Sequence, residues 1–527
     1  MTTVGEPALR RTPAPRPVAG RPPGAWGQVR ALASLRLAVL RGRARRRAVR
    51  GVALLPVVAV VTVTAAALAP RGQDAFTIAL LAPSAWLFFA LSAVVAATTG
   101  AGGRQLITRD QSVAFLVSPA ADHLGALVTA PLNIAWSVQA CTLLALTAWT
   151  VGPTPGLWAP LVLTLVWIVS CTIVAQAAGW VVELVRTSWA GVWAVRLVVV
   201  AGAASVAFVA LTGRVTNALD ASPTSRLVSA GSSAAQGKGF GGWAVSLAVL
   251  AAASVAAWFA GVALLGTLQR RPALLQVRGE TRLRRRRAPA PTALRANLRI
   301  DHAGVWRSPP LRRGIAALGI IPGAAAAASG LEWSMVALLP GLVASGAGLL
   351  FGVNAFALDG PGALWRETLP GPPRRMFAAR MIVIAEVCLA GGLVALAAAA
   401  LRAGVPDPAV AVAVLGAFVA TTAQVVARCA RWSVERPYAA ALREARDQPA
   451  PPAAMAGYSA QLAASTTGTG LLYTFLAGGG SELVPTTVLL TCAFVLLAGR
   501  RLSLVARSWS DDATRTRVLA TVAGARA

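Results

Sequence analysis

Between two long apolar segments runs ALDGPGALWRETLPGPPRRMFAAR, Ala357 to Arg380. Its parts are those of a short helix held between breakers. Asp359-Gly360-Pro361-Gly362 is a turn sequence, and Asp can cap the helix after it. GALWRETL can form a short helix with Leu364, Trp365 and Leu369 on an apolar side, and the run Pro370 to Pro373 ends it. Arg374, Arg375 and Arg380 then open the next apolar segment at the lipid headgroup level. A shorter relative, TRDQSVAFLVSPAADHLGA, occupies Thr108 to Ala126, again between apolar segments. There Asp110 is followed by Phe115, then by Pro119 and a helix start.

The chain around these two loops has 527 residues, of which 56% are hydrophobic and 13% charged. Charged residues reach about a quarter in soluble domains. Apolar stretches recur along the whole length, which points to an all-α polytopic membrane protein. We read twelve candidate spans, near 51–69, 76–98, 125–150, 157–184, 193–211, 243–267, 314–330, 333–356, 377–401, 408–427, 455–476 and 484–504. Each approaches the ~20 residues a helix needs to cross the hydrocarbon core. The stretch 455–476 is rich in Ser, Thr and Gly, so it can span only with its polar face against other helices or a cavity. The first apolar segment begins near Gly51 behind a Pro/Arg-rich arm, with no small-residue cleavage site after it, and is read as a span that stays.

The formal charge of +30 would suggest nucleic acid in a soluble protein. Here the basic residues lie between apolar segments. With the N-terminus cytoplasmic, all Lys and Arg except Arg71, Arg214, Arg226, Lys238 and Arg402 fall on the inner side. That is a strong positive-inside pattern, and it places both termini in the cytoplasm. The five cysteines are scattered in or near apolar segments without CxxC spacing and read as buried hydrophobes.

The organisation is in two halves. Residues 1–48 form a basic arm in which Trp26, Val29, Leu32, Leu35, Leu37 and Leu40 oppose an Arg-rich face. That is an amphipathic helix lying on the inner surface, with a purely topogenic arm as the alternative. Residues 49–268 form a first six-helix half, 269–312 an Arg/Pro-rich linker, 313–505 a second six-helix half and 506–527 a cytoplasmic tail. The unusual loop sits between the second and third span of each half. With Asp110 placed against Asp359, Gln105 meets Asn354 and Gly103 meets Gly352; after a two-residue insertion Pro119 meets Pro370. Two like-oriented halves are a common transporter plan.

The stretch FGVNAFALDGPGALWRETLPGPPRRMFAARMIV, from Phe351 to Val383, resembles the loop of ABC-2-type exporter permeases. The matching positions are Asn354, Phe356, Asp359, Gly360, Leu369, Pro370, Arg374, Arg375 and Arg380, with Trp365 in the short helix between them. In the first half Asp110, Phe115, Ser118 and Pro119 fit, while Gln111 replaces Gly and His123 stands where an arginine would be. The resemblance implies that each loop is a coupling helix docked on an ATP-binding-cassette ATPase subunit. Twelve spans would be a fused pseudo-dimer on two ATPase copies in a bacterial cell membrane. ATP would then act through that partner and not through this chain. The outer loop 212–242 fits the family's outward segment between spans five and six, and GGGSELVPTT in the second half is much shorter.

The chain carries no Walker A loop, since Lys238 is followed by Gly239 and not by Ser or Thr. His123 and His302 are the only histidines and lie far apart in sequence, so neither a zinc cluster nor a Ser-His-Asp site is supported. Glu386 lies within the ninth span. A charge near the bilayer centre costs ~2.5–3.5 kcal/mol on insertion scales, so Glu386 should face protein or water, or be protonated. Asn133 and Gln139 in the equivalent third span allow a polar seam between the halves. Two other readings stay open: a secondary transporter coupled to protons through Glu386, and a non-transporting scaffold acting through its Arg-rich arm and linker. Membrane lipids are expected partners in every reading, and nucleic acid in none.

Overall fold

A computed structural model describes residues 24–39, 43–71, 79–99, 117–132, 134–212, 214, 217, 221–270, 289–440 and 449–524. Among the described residues the regular structure is helical, without strands. Helix α1 (Ala25–Val39) precedes α2 (Arg43–Leu68), α3 (Ala82–Thr99), α4 (Pro119–Thr129), α5 (Ile134–Val151), α6 (Trp158–Val185), α7 (Trp189–Leu211), α8 (Pro223–Ala235) and α9 (Phe240–Gln269). Beyond the linker come α10 (Ala293–Arg307), α11 (Pro309–Ser329), α12 (Trp333–Val336), α13 (Leu339–Leu350), α14 (Gly362–Glu367), α15 (Pro373–Ala403), α16 (Pro408–Glu435), α17 (Pro452–Gly478), α18 (Val484–Ser510) and α19 (Asp512–Ala523).

The helix boundaries follow local chemistry. Proline stands in the first turn of α4, α8, α11, α15, α16 and α17, where its missing N–H costs nothing. Helices α11 and α19 end on Gly330 and Gly524, whose φ of 65° and 72° is the left-handed conformation that closes a helix.

Six stretches are long and apolar enough to cross a membrane: 155–185, 240–269, 333–358, 373–403, 408–435 and 480–510. Four shorter apolar helices cover 56–68, 82–98, 136–151 and 189–202. The other two stretches expected to span, 314–330 and 455–476, lie in α11 and α17. The outward faces agree with a lipid environment. Val245, Phe259, Leu489 and Leu496 are all more than 60% exposed, an apolar surface that water would not tolerate at this extent. The protein is an all-α membrane protein.

Helix α17 shows how the Ser/Thr-rich stretch is accommodated. Thr466 Oγ1 lies 2.8 Å from Ser345 Oγ, Gln424 Nε2 donates to Thr469 Oγ1, Thr474 donates to the Ser334 carbonyl, and the Tyr473 hydroxyl meets Thr491. Its polar side is therefore satisfied by α12, α13, α16 and α18 and not by lipid.

The neighbours are regular. α2 packs on α5, α3 on α6, and α6 on α9; α11 packs on α15, α13 on α16, and α16 on α18. Between the two sets, α7 touches α11 and α2 touches α17. Two segments outside the long helices are structural. α1 lies on α4, burying Val29 against Ala121, with Leu32 and Leu124 beside them. α10 lies on α15, and Val305 joins a core that also holds Phe351, Phe356, Ile384, Trp432, Trp509 and Leu519. The linker and tail thus contribute to the interior of the second set.

Candidate functional site: a braced helix on the basic side

The loop after α13 turns through 352–358, a tight helical run broken at Asn354 (φ −143°, ψ 61°). Asn354 is fully buried, and its side-chain amide donates to the carbonyls of Tyr438 (2.8 Å) and Pro449 (2.6 Å). It therefore pins the loop to the segment after α16. Ser433 of α16 adds a second pin, donating to the Gly352 carbonyl and accepting from the Ala355 N–H. Gly352 itself is required by space, because a Cβ there would sit 2.8 Å from the Cys429 sulfur. Gly360, with φ +50°, makes the turn that releases the chain into α14.

Helix α14 is held from behind by four charges. Arg366 reaches inward and donates to Asp301 of α10 (2.6 and 3.1 Å), to Asp359 (3.1 and 3.2 Å) and to Asn297 (3.0 Å). Arg380 of α15 pairs with the same two carboxylates, at 2.8 Å from Asp301 and 2.7 Å from Asp359, and donates to the Ala355 carbonyl. The Asp301 and Arg380 side chains are 0% and 1% exposed. Two acids and two guanidiniums make a neutral set, the condition under which charges can be buried. Burial by itself would lower the Arg366 pKa. Hydrogen bonds and charge from Asp301 and Asp359 outweigh it and leave the guanidinium pKa raised, so it stays protonated.

The tail braces α14 from another side. Trp509 is fully buried, stacks on Phe356 with ring centroids 4.1 Å apart, and donates its indole N–H to the Pro373 carbonyl. Arg515 of α19 bridges Glu367 (2.6 Å) and Asp512 (2.6 Å). What α14 offers outward is apolar and aromatic: Trp365 is 66% exposed and Leu364 47%. Pro370, Arg374 and Arg375 are exposed beside it, and Arg374 Nε also donates to Ser510.

Asn354, Asp359, Gly360, Trp365, Pro370, Arg374 and Arg375 thus come together around one short helix. Arg380 has a different place from the headgroup anchor its position suggested, because it is one of the four buried charges. Asp301 and Arg366 were not singled out from sequence. The signal for Asp301 lies in ALRANLRIDHAGVWR, where Asn297, Asp301 and Val305 recur at helical spacing on one face, with an acid among arginines.

In the first set, Asp110, Phe115 and Asn133 lie outside the described residues. Pro119 opens α4, and Ser118 caps it, its hydroxyl accepting from the Ala121 N–H. Gln28 of α1 accepts from both the N–H and the hydroxyl of Ser118, at 3.0 and 3.1 Å. His123 is fully buried; its Nδ1 accepts from the Trp180 indole (3.0 Å), and its ring lies against Trp258. Gly261 leaves room for that ring, since a Cβ there would approach it to 2.5 Å.

Gln139 accepts from Ser92, tying α5 to α3. Glu386 faces a protein partner, hydrogen-bonding His302 Nε2 across α10 and α15, with both side chains 40–49% exposed. Among the described residues no cluster of three His, Cys, Asp or Glu could hold a metal ion. No family model, no curated protein and no solved structure matches the chain.

Proposed function

We propose that the chain is the membrane-spanning permease subunit of an ABC-2-type exporter in a bacterial cell membrane. A separate ATP-binding-cassette ATPase, in two copies, supplies the energy, and the chain itself is not an enzyme. The observation that carries this reading is α14. A six-residue helix has too few internal hydrogen bonds to hold its shape alone. Here Arg366, Arg515 and the Phe356–Trp509 stack hold it, while Trp365 points outward as an anchor for a partner. A rigidly backed helix with an exposed aromatic is suited to passing a push from a soluble subunit into α10 and α15.

Twelve spans in two six-helix halves fit the helix neighbours. Counting α2 as the first span and α7 as the fifth of one half, and α11 and α17 as their counterparts, the first of each half meets the fifth of the other. Such reciprocal pairing is what a two-fold relation between halves would produce. The helices before each first span, α1 and α10, dock on the start of the third span of their own half. In this reading ATP binding draws the ATPase copies together, pushes the two cytoplasmic loops and rocks the halves to open an outward path between them. Both termini lie in the cytoplasm, by the distribution of arginine.

The test is purification from the native host in mild detergent, with identification of co-eluting proteins by mass spectrometry. An ATP-binding protein should co-purify. Trp365→Ala should reduce its recovery tenfold or more while leaving the chain's melting temperature unchanged. Absence of any ATPase under several detergents and crosslinkers would overturn the reading. The proton-coupled alternative draws on the His302–Glu386 pair, which adds a second titratable group to the acid. It predicts transport that collapses with the proton gradient and is abolished by Glu386→Gln.

A further inference from the structure

Helices α16 and α18 run side by side in the same direction, with Gly416 of one facing Thr491 of the other. Arg428 lies about 30 Å along α16 from Pro408, and Arg501 about 25 Å along α18 from Val484, at 1.5 Å per residue. The hydrocarbon core is ~30 Å thick, so both guanidiniums reach headgroup depth on the basic side. They stand about 18 and about 15 Å beyond the Gly416–Thr491 contact, so the two long side chains lie near one level on neighbouring helices.

Arg428 donates one N–H to the Gln461 carbonyl at 3.2 Å, and its Nε is buried without a partner. Among the described residues no carboxylate pairs with either arginine. Glu435, two turns further along α16, is taken by Arg431 at 2.7 Å. Beside Arg501 the surface of α18 is apolar: Leu497, one turn before it on the same face, is 52% exposed, and Leu504 after it equally so.

We infer that Arg428 and Arg501 together bind the phosphate of one anionic phospholipid, whose acyl chains lie along the Leu497 face of α18. One phosphate can accept from the terminal N–H groups of both guanidiniums and balance their charge. It does so at the depth where a lipid carries its phosphate, beside a face that suits its chains. A free phosphate would match the arginines and leave the apolar flank unused.

The test is native mass spectrometry of the full chain released from mild detergent, with phosphatidylglycerol or phosphatidylcholine added. One phosphatidylglycerol should persist on the wild-type chain and phosphatidylcholine should not. Arg501→Gln and Arg428→Gln should each lower retention tenfold or more. Arg507→Gln and Arg375→Gln, exposed on the same basic side, should leave it unchanged. Arg501 is exposed, so its variant keeps the proposal testable should Arg428→Gln fail to fold. Retention in Arg501→Gln would overturn the proposal. Equal loss in Arg507→Gln would overturn it as well, by showing only a response to overall charge. Displacement of phosphatidylglycerol by millimolar inorganic phosphate would assign the site to free phosphate and overturn the lipid.

Discussion

Helices α1 and α10 each pack on a later helix, α4 and α15, and are fastened there by different chemistry. α1 sits on α4 through Val29, Leu32 and two neutral hydrogen bonds from Ser118 to Gln28. α10 sits on α15 through Asp301, shared between two buried arginines. A neutral joint of this kind contributes about 1 kcal/mol per hydrogen bond and can slide when its apolar contact is small. A buried four-charge joint is unforgiving, because any member left alone carries an uncompensated charge. The second joint is therefore the stiffer one, and it stands directly behind α14.

The largest effect should come from breaking that joint. Asp301→Ala leaves Arg366 and Arg380 to share Asp359 in a dry site, and should cost about 3–5 kcal/mol. It should appear as a lowered melting temperature in detergent and as faster proteolysis around α14. Asp301→Asn, which keeps an acceptor, should lose less. A double-mutant cycle of Asp301→Ala with Arg366→Met should show strong coupling, since the two side chains touch. Additive losses would mean that the charges merely sit together and that the stiffness lies elsewhere.

The first joint should break more gently. Ser118→Ala removes the α4 cap and the hydroxyl that donates to Gln28, while the backbone N–H bond to Gln28 stays, at about 0.5–2 kcal/mol. Gln28→Ala should cost about 1 kcal/mol, and part of that loss should remain in the Ser118→Ala background, where the N–H bond to Gln28 persists. Thermal melting of the single and double variants measures this. If Ser118→Ala destabilised the chain as much as Asp301→Ala, the contrast between the two joints would be lost.

Much of the fold was legible because hydropathy is local: a helix announces its apolar run, its proline start and its flanking arginines in one stretch of chain. The loop was legible for the same reason. Asp359-Gly360 and the proline cluster around Leu369 state a turn, a short helix and a stop. The brace was not, because its parts are far apart in sequence. Asp301 lies in a linker whose Arg and Pro content reads as solvated. Arg380 looks like a headgroup anchor until its two carboxylates are in place. Trp509 and Arg515 belong to a segment after the last apolar run, where nothing local distinguishes a tail that packs from one that hangs free. The polar side of α17 was legible as a demand for partners; Ser345, Gln424 and Thr491 are the partners, and only the packing names them.

The smallest expected effect concerns the tail that completes the second joint. Asp511 caps α19, accepting from the hydroxyl of Thr514 at 2.7 Å and from its N–H at 2.9 Å. Those hydrogen bonds favour the carboxylate and hold its pKa below the usual 3.8. A carboxyl whose folded pKa is depressed stabilises the fold fully above its ordinary value. That contribution fades as pH falls through the ordinary value towards the lowered one. Acidification from about pH 6 to about pH 3 should therefore lower the protection of the α19 amides, with exchange taken relative to the intrinsic rate at each pH. Asp511→Asn, a cap of similar strength that does not titrate, should remove this part of the pH response. Because α19 carries Arg515 to Glu367, loosening the cap should also raise exchange in α14, and by less than in α19 itself. Exchange that rises in α19 while α14 is unmoved would show that the four buried charges alone hold the helix, and that the tail is an accessory to the brace.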